Sequence, residues 1–518
     1  MIITGCNFIG SKKSDDGSKT FNVVNPQSGK RLKPFFYEAT KEELKEAALL
    51  AKKAFSEYSK TAFSVRAKFL EAIADEILII GNKLIQRCHI ETALPVMRLE
   101  SERERTVNQL RMFAKLLRDG TWLQASIDKY ENTDIRLTQI PIGPVAVFGA
   151  SNFPFAFSVV GGDTASALAA GCPVIVKANP SHPGTSEMLA QAILKAIEKQ
   201  QIPEGTFSML QGQSHMIGLE LVRNPQIKAV GFTGSFKGGN DLYKAANART
   251  EPIPFYAEMG STNPVFVFPE AMHINMAEIA KTLIDSVTLS VGQFCTKPGL
   301  VFLIDDKNTD EFIKLIVKQI EKTPSGTMLG EHVKSGYEKG IKEISTLKGL
   351  KLIAKGKLNE GICEANAQLF ETTLDIFLEN SRLEEEVFGP STIIVRLKAL
   401  KDFEKVADHL KGHLTATIYA EKNEIKRNAL FIESIQNKAG RIIYNGIPTG
   451  VTVYPSMHHG GPFPATTNIR YTSVGTRAIY RFVRPISFQN LPDELLPDEL
   501  KDGNPLDIYR NYNGKLTK

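Results

Sequence analysis

The residues best suited to covalent chemistry gather around one cysteine. Cys295 sits in Gly292-Gln293-Phe294-Cys295-Thr296-Lys297-Pro298-Gly299, where glycine and proline bracket the thiol and put it on an irregular loop between apolar segments. Presented to a cleft from such a loop, a thiolate can attack a carbonyl carbon. The same cysteine packed in a core would be an inert, small apolar group. Lys297, two residues on, either draws in an anionic substrate or is a solvated loop lysine.

Two carboxylates stand beside turns. Glu258 opens Glu258-Met259-Gly260-Ser261-Thr262-Asn263-Pro264 after a strand-like Pro254-Phe255-Tyr256-Ala257, a suitable place for a general base or for a solvated turn cap. Glu386 lies in Glu384-Glu385-Glu386-Val387-Phe388-Gly389-Pro390, which can equally be a charged helix end. His458-His459-Gly460-Gly461 has no acidic or cysteine companion at ligand spacing and reads as loop. The five cysteines (6, 88, 172, 295 and 363) form no Cys-x-x-Cys pair and no disulfide pattern, so no metal site is expected. A cofactor-free cysteine hydrolase or acyltransferase would need a histidine base. The nearest in sequence is His273, 22 residues before Cys295, and spatial proximity is left open.

The elements that must position these groups follow from composition and periodicity. The chain has 518 residues, 42% hydrophobic and 23% charged, with a net charge of +6 spread without basic blocks. A nucleic-acid partner is not indicated. No apolar run reaches the ~18 residues of a membrane span, and Met1 to Thr20 lacks a continuous apolar core, so a reducing cytoplasm is expected. Residues 41–119 read as helical, opened by Thr40 as N-cap. From about 138, short apolar runs alternate with helices: 144–149, 173–177, 207–210 and 228–232. That alternation specifies a doubly wound α/β fold with a parallel sheet. A second alternation, with strands at 264–268, 300–304, 391–395 and 415–419, gives a second α/β domain. The tail from about 480 suits a strand-bearing arm.

Parallel sheets hold ligands at the C-terminal ends of their strands, against helix N-termini. Gly149-Ala150-Ser151-Asn152-Phe153-Pro154, Lys177 and Gly231-Phe232-Thr233-Gly234-Ser235-Phe236-Lys237-Gly238-Gly239 occupy such ends. Those glycines can admit a pyrophosphate or merely satisfy a tight turn; the standard dinucleotide and P-loop glycine patterns are absent.

Ser-Asn152-Phe-Pro, Lys177, Gly-Phe-Thr-Gly-Ser, Glu258-Met-Gly, Gly-Gln-x-Cys295 and Glu386-Val-Phe-Gly-Pro occur in the order and spacing that resemble the aldehyde dehydrogenase superfamily, over roughly residues 5–510. A narrower resemblance rests on Gly-Gln-Phe-Cys295-Thr-Lys-Pro-Gly, His182-Pro-Gly-Thr-Ser-Glu, Glu91-Thr-Ala-Leu-Pro and Pro448-Thr-Gly-Val with His459-Gly-Gly-Pro-Phe-Pro-Ala-Thr. These look like the α-ketoglutarate semialdehyde (2,5-dioxopentanoate) dehydrogenases, near the NADP-dependent fatty aldehyde dehydrogenases, which stand as the alternative.

The resemblance implies roles. Cys295 would form a thiohemiacetal and then a thioester, Asn152 would hold the oxyanion, and Glu258 would activate water. Lys177, Gly234, Ser235, Glu386 and Phe388 would bind NADP or NAD. Pro180 stands where NAD-preferring relatives often carry a glutamate, so Lys177, Ser181 and His182 are expected to tolerate a 2′-phosphate. Phe155, Thr296, Lys297, Arg103 and Arg111 are the expected substrate contacts. Arg103, Arg105 and Arg111 fall on one helical segment, where 105 is offset from 103 by about 200°. The implied divisions are a cofactor domain (1–257 and 442–479), a catalytic domain (258–441) and an oligomerisation arm (128–143 and 480–518) that makes a homodimer or homotetramer.

Overall fold

The computed structural model describes residues 2–448 and 450–518; Thr449 of the Pro448-Thr-Gly-Val motif lies outside them. Its first sheet runs in the order Phe255–Glu258, Ala229–Thr233, Val145–Phe148, Val174–Lys177, Phe207–Leu210, Asn7–Ile9, Lys12–Ser14. The first five strands are parallel, and the N-terminal hairpin adds two antiparallel strands. Val145–Phe148 and Phe207–Leu210 are buried along their whole length, which is why they read as unbroken apolar runs. The helix Gly162–Ala170 is built of small residues and wholly buried, so it packs close to the sheet.

Helices Lys41–Tyr58, Phe63–Ile80, Asn82–Thr92 and Val96–Asp119 account for the helical segment. Thr40 caps the first of them in a capping box with Glu43, as its position suggests.

The second sheet runs Lys351–Lys355, Gln368–Thr373, Ser391–Leu397, Leu300–Ile304, Val265–Val267, His413–Tyr419, Ala439–Tyr444, parallel except for its first strand. Two expected boundaries shift. Glu258 closes the edge strand of the first sheet, and 442–444 belong to the second sheet because Ala439–Tyr444 pairs with His413–Tyr419. Strand Gln368–Thr373 escapes sequence reading because its charged and polar residues mask the buried ones.

A third sheet joins Val483–Gln489, Thr133–Pro141, Ser126–Tyr130, Arg510–Tyr512 and Lys515–Thr517. The apolar run at 479–483 is not a strand throughout. Thr476–Arg481 turns as a 3₁₀ helix with Ala478 and Ile479 buried, and pairing begins at Val483.

Candidate active site

The loop that carries Cys295 is held under backbone tension. Ser290, Val291 and Gly292 follow one another at φ of 48°, 58° and 66°. A β-branched residue in that region is unusual, and such positions cost on the order of 1–3 kcal/mol each. A Cβ on Gly292 would lie 2.3 Å from the Gly389 carbonyl carbon, so the chain there tolerates only glycine. Gln293 offsets part of the strain: its Nε2 donates to Ser290 O (3.0 Å) and its Oε1 accepts the Leu329 N–H (3.0 Å).

Asn263, from the Glu258 motif, fixes the far side of the loop. Its Nδ2 donates to the carbonyls of Cys295 (2.9 Å) and Lys297 (3.0 Å), while its Oδ1 accepts from the Ser261 and Thr415 hydroxyls. The two sequence motifs are therefore one structural unit.

Around the sulfur stand four side chains. Glu258 arrives from the edge of the first sheet and is buried. His459 Nε2 lies 2.8 Å from Glu258 Oε1 and 3.5 Å from Cys295 Sγ. Ser473 Oγ donates to the other carboxylate oxygen at 2.9 Å. Asn152 is buried and donates one amide hydrogen to Gln293 O at 3.0 Å, leaving the second for another acceptor. The 2.8 Å contact between His459 and Glu258 is a hydrogen bond. Two ligands of one tetrahedral zinc, with bonds of about 2.0–2.1 Å, would stand about 3.3 Å apart.

Charge follows from this geometry. Burial, then the neighbouring Glu258 charge and hydrogen bond, push the Cys295 thiol well above its usual range, so the resting group is the thiol. Burial would also raise Glu258, but the charge and hydrogen bond of His459, with the Ser473 and Cys295 hydrogen bonds, hold it below its usual value. A carboxylate ionised at neutral pH beside a protonated thiol is a proton acceptor in place.

Two cavities of about 550 Å³ and about 570 Å³ meet at Thr233, Gly234 and Ser235. Cys295, Glu258, Asn152, Glu386 and Phe388 line the first, and Lys177, Pro180, Ser214, His215 and Lys237 the second. Between them begins the helix Phe236–Asn247, with Ser235 as N-cap and free N–H groups suited to a diphosphate. A Cβ on Gly260 would come 2.7 Å from Glu386 Oε2, so that glycine gives Glu386 its room. The shape and donor set fit a dinucleotide. Burial lowers the Lys177 ammonium to about 8.

Several expected contacts are elsewhere. His182 is fully buried, with Nε2 on Ala150 O (3.1 Å) and Nδ1 near Ser186 Oγ, so it pins the Asn152 loop from behind. The Ser181 hydroxyl faces His332 (3.4 Å), away from the second cavity. Lys297 is buried and donates to Ser391 O (2.9 Å) and Val387 O (3.3 Å); it braces the Glu386 turn and is not among the residues lining the cavity at Cys295. Phe155 belongs to the main core. The aromatic rings near the sulfur are instead Phe153, Phe157 and Phe294, with centroids 5.4 Å and 5.2 Å apart in the two contacts through Phe153. Arg111 pairs with Asp75 at the surface, because its position on the helix turns it outward. Arg103 is half-buried, with its Nε unpaired. Thr296 is wholly buried.

Arg98 and Arg105, seven residues apart and so within about 20° on a helix, are the arginines that face the site. Arg98 bridges Ser290 Oγ (3.0 Å) and Asn152 O, joining the two catalytic loops, and lies over Phe153 and Phe294. The i,i+7 spacing in the sequence would have found this pair. His459 and Ser473 have no such signal, since they lie on an irregular loop brought to Glu258 by the 258–466 bridge and by Met259 N–H on Ala465 O. Two of the narrower sequence motifs prove architectural: Glu91 accepts the Gly184 and Thr185 N–H groups and caps the helix Pro183–Gln200.

Residues 12–462 match the aldehyde dehydrogenase family. The chain is 46% identical to alpha-ketoglutaric semialdehyde dehydrogenase 2 of Azospirillum brasilense, over 99% of this chain and 100% of that protein. It is 42% identical to alpha-ketoglutaric semialdehyde dehydrogenase of Acinetobacter baylyi, over 99% of each. In fold it is similar to the aldehyde dehydrogenase KauB of Pseudomonas aeruginosa (TM-score 0.82, 20% identity, 94% of this chain and 97% of that one). A 1-pyrroline-5-carboxylate dehydrogenase from Thermus with bound NAD has a similar fold (TM-score 0.81, 20% identity, 94% and 92% coverage).

Proposed function

The chain belongs to the aldehyde dehydrogenase family and is an NAD(P)-dependent oxidoreductase, and we propose that its aldehyde is 2,5-dioxopentanoate (α-ketoglutaric semialdehyde), oxidised to 2-oxoglutarate. The observation that carries the substrate is the 46% and 42% identity, end to end, with two proteins of that activity.

The residues divide the work as follows. Sγ of Cys295 bonds to the aldehyde carbon while the thiol proton passes to the Glu258–His459 pair, 3.5 Å from sulfur to nitrogen and 2.8 Å from nitrogen to oxygen. The oxyanion is received by the second Asn152 amide hydrogen and the Cys295 backbone N–H, donors fixed in advance by Gln293 O and by Asn263. A nicotinamide held in the first cavity beside Glu386 and Phe388 would supply the hydride acceptor for oxidation at the thiohemiacetal carbon. Once that first proton is lost to solvent, Glu258 takes a proton from the water that attacks the thioester, the carbon–sulfur bond breaks to release the acid, and the proton on Glu258 restores the thiol. Ser473 and His459 keep that carboxylate ionised between turnovers. Glu386 and Phe388 orient the nicotinamide end, and Ser235 and Gly234 the diphosphate.

Lys177, Lys237 and the Ser214-capped helix His215–Arg223 surround the far cavity, where Asp241 is the one acidic lining residue. That balance supports acceptance of a 2′-phosphate, hence NADP alongside NAD. The open edge of Val483–Gln489 supports assembly into a dimer or tetramer through the third sheet. No helix among the described residues is long and apolar enough to cross a membrane, and all five cysteines are unpaired, which supports a cytoplasmic setting.

Formation of reduced cofactor with 2,5-dioxopentanoate and with hexanal tests the substrate. We expect kcat/KM to favour the oxo acid by at least about 100-fold. A preference for hexanal or longer alkanals would place the enzyme with the fatty aldehyde dehydrogenases.

A further inference from the structure

Behind the Asn152 and Cys295 loops lies an apolar cluster that includes Phe153, Phe157, Val451 and Met457 and packs against Phe294 through Phe153. Two guanidinium groups enter it from distant parts of the chain: Arg105 from the helix Val96–Asp119 and Arg441 from the strand Ala439–Tyr444. Their bonding is incomplete. Arg105 Nε donates to Val451 O (3.0 Å), while Nη1 and Nη2 are buried without a partner. Arg441 Nη1 meets only the Met457 sulfur (3.6 Å), and its Nε and Nη2 are buried and unpartnered. Neither makes an ion pair among the described residues. Glu102 is the carboxylate that acts most strongly on Arg105; its Oε1 accepts the Phe155 and Ala156 N–H groups, and its Oε2 is buried without a hydrogen-bond partner and is not paired with Arg105.

Position connects this pair to the reaction. The Arg105 guanidinium lies 5.0 Å from the Phe157 ring centre, Phe157 is 6.0 Å from the His459 ring, and His459 is 3.5 Å from Sγ. Arg105 and Arg441 both lie within electrostatic reach of Cys295. Arg98, which shares the helix face with Arg105, is already committed to Ser290 and Asn152. Leaving several N–H donors of a buried cation unused is expensive unless a ligand completes them, and the planar fork is shaped for a carboxylate.

We infer that Arg105 and Arg441 together bind the carboxylate at the far end of the aldehyde substrate, with Phe157 as the platform that holds the fork. This rests on the oxo-acid reading above and adds the residues that select it.

The test uses the whole enzyme with two aldehydes and one inhibitor. In Arg105→Gln and Arg441→Gln, kcat/KM for 2,5-dioxopentanoate should fall about 30- to 1,000-fold, chiefly through KM. Oxidation of pentanal should stay within about threefold of the parent, which also shows that the variants fold. Glutarate should inhibit pentanal oxidation by the parent and lose that effect in both variants. Arg105→Lys, which keeps the charge without the fork, should recover only part of the loss. Equal losses on both aldehydes, or unchanged use of the oxo acid, would overturn the inference. If the parent prefers another carboxylate-bearing aldehyde such as 4-oxobutanoate and still depends on the arginines, the named substrate falls and the clamp stands. If it prefers 2,5-dioxopentanoate while the variants remain glutarate-sensitive, the clamp falls and the substrate stands.

Discussion

Two cations with buried nitrogens flank the nucleophile, and the protein treats them in opposite ways. Lys297, on the cofactor side, gives its ammonium to the carbonyls of Ser391 and Val387 and braces the turn that carries Glu386. Arg105, on the other side, has one bond to Val451 and two buried terminal nitrogens with none. A buried cation whose donors are satisfied by backbone is a structural part. One held against an aromatic ring with its buried donors open is equipped for a ligand. Burial by itself does not distinguish them; hydrogen-bond accounting does.

Changes at the centre and on each side sharpen that contrast. The largest effect is expected between the two cations: Cys295→Ser should reduce turnover by at least about 10⁴-fold while cofactor binding, read by fluorescence of the reduced dinucleotide, is retained. Substantial turnover by this variant would remove the nucleophile from the scheme.

Glu258→Gln should slow the steady state by roughly 10²- to 10⁴-fold and leave a burst of reduced cofactor near one equivalent per active subunit. A steady state equal to the parent's would move the base elsewhere.

The thiol is held protonated by burial and by Glu258. Alkylation of Cys295 by iodoacetamide should therefore climb about tenfold per pH unit through neutrality, with no plateau by about pH 8.5. Removing the carboxylate charge lowers the thiol pKa, so Glu258→Gln should alkylate several-fold faster at pH 7.5. A plateau near neutrality in the parent would mean a resting thiolate.

The smallest change in rate is expected on the satisfied side. Lys297→Met leaves two carbonyls without their donor and should cost about 1–3 kcal/mol of stability, seen as a lower Tm. It should change kcat/KM for 2,5-dioxopentanoate and pentanal by the same small factor. A selective loss on the oxo acid would give Lys297 the role assigned here to the arginines.

Local pattern was enough for much of this molecule. Unbroken apolar runs such as Val145–Phe148 and Leu300–Ile304 can form only strands buried on both faces, and glycine and proline around Cys295 and Glu258 put both on turns at sheet ends. That placed the thiol, the carboxylate and Asn152 at sheet ends, and the resemblance carried by their ordered motifs supplied the roles expected of them. What the sequence hid depends on contacts between residues far apart in the chain. His459 lies 201 residues from Glu258 and shares no local pattern with it; only the loop that folds back over the edge strand makes them partners. Lys297 sits two residues from the nucleophile, yet backbone twist turns it into the core, while Arg441, far away in sequence, turns into the apolar cluster at Met457. Neighbours along a chain point in different directions, and only packing decides which side chains share a chamber.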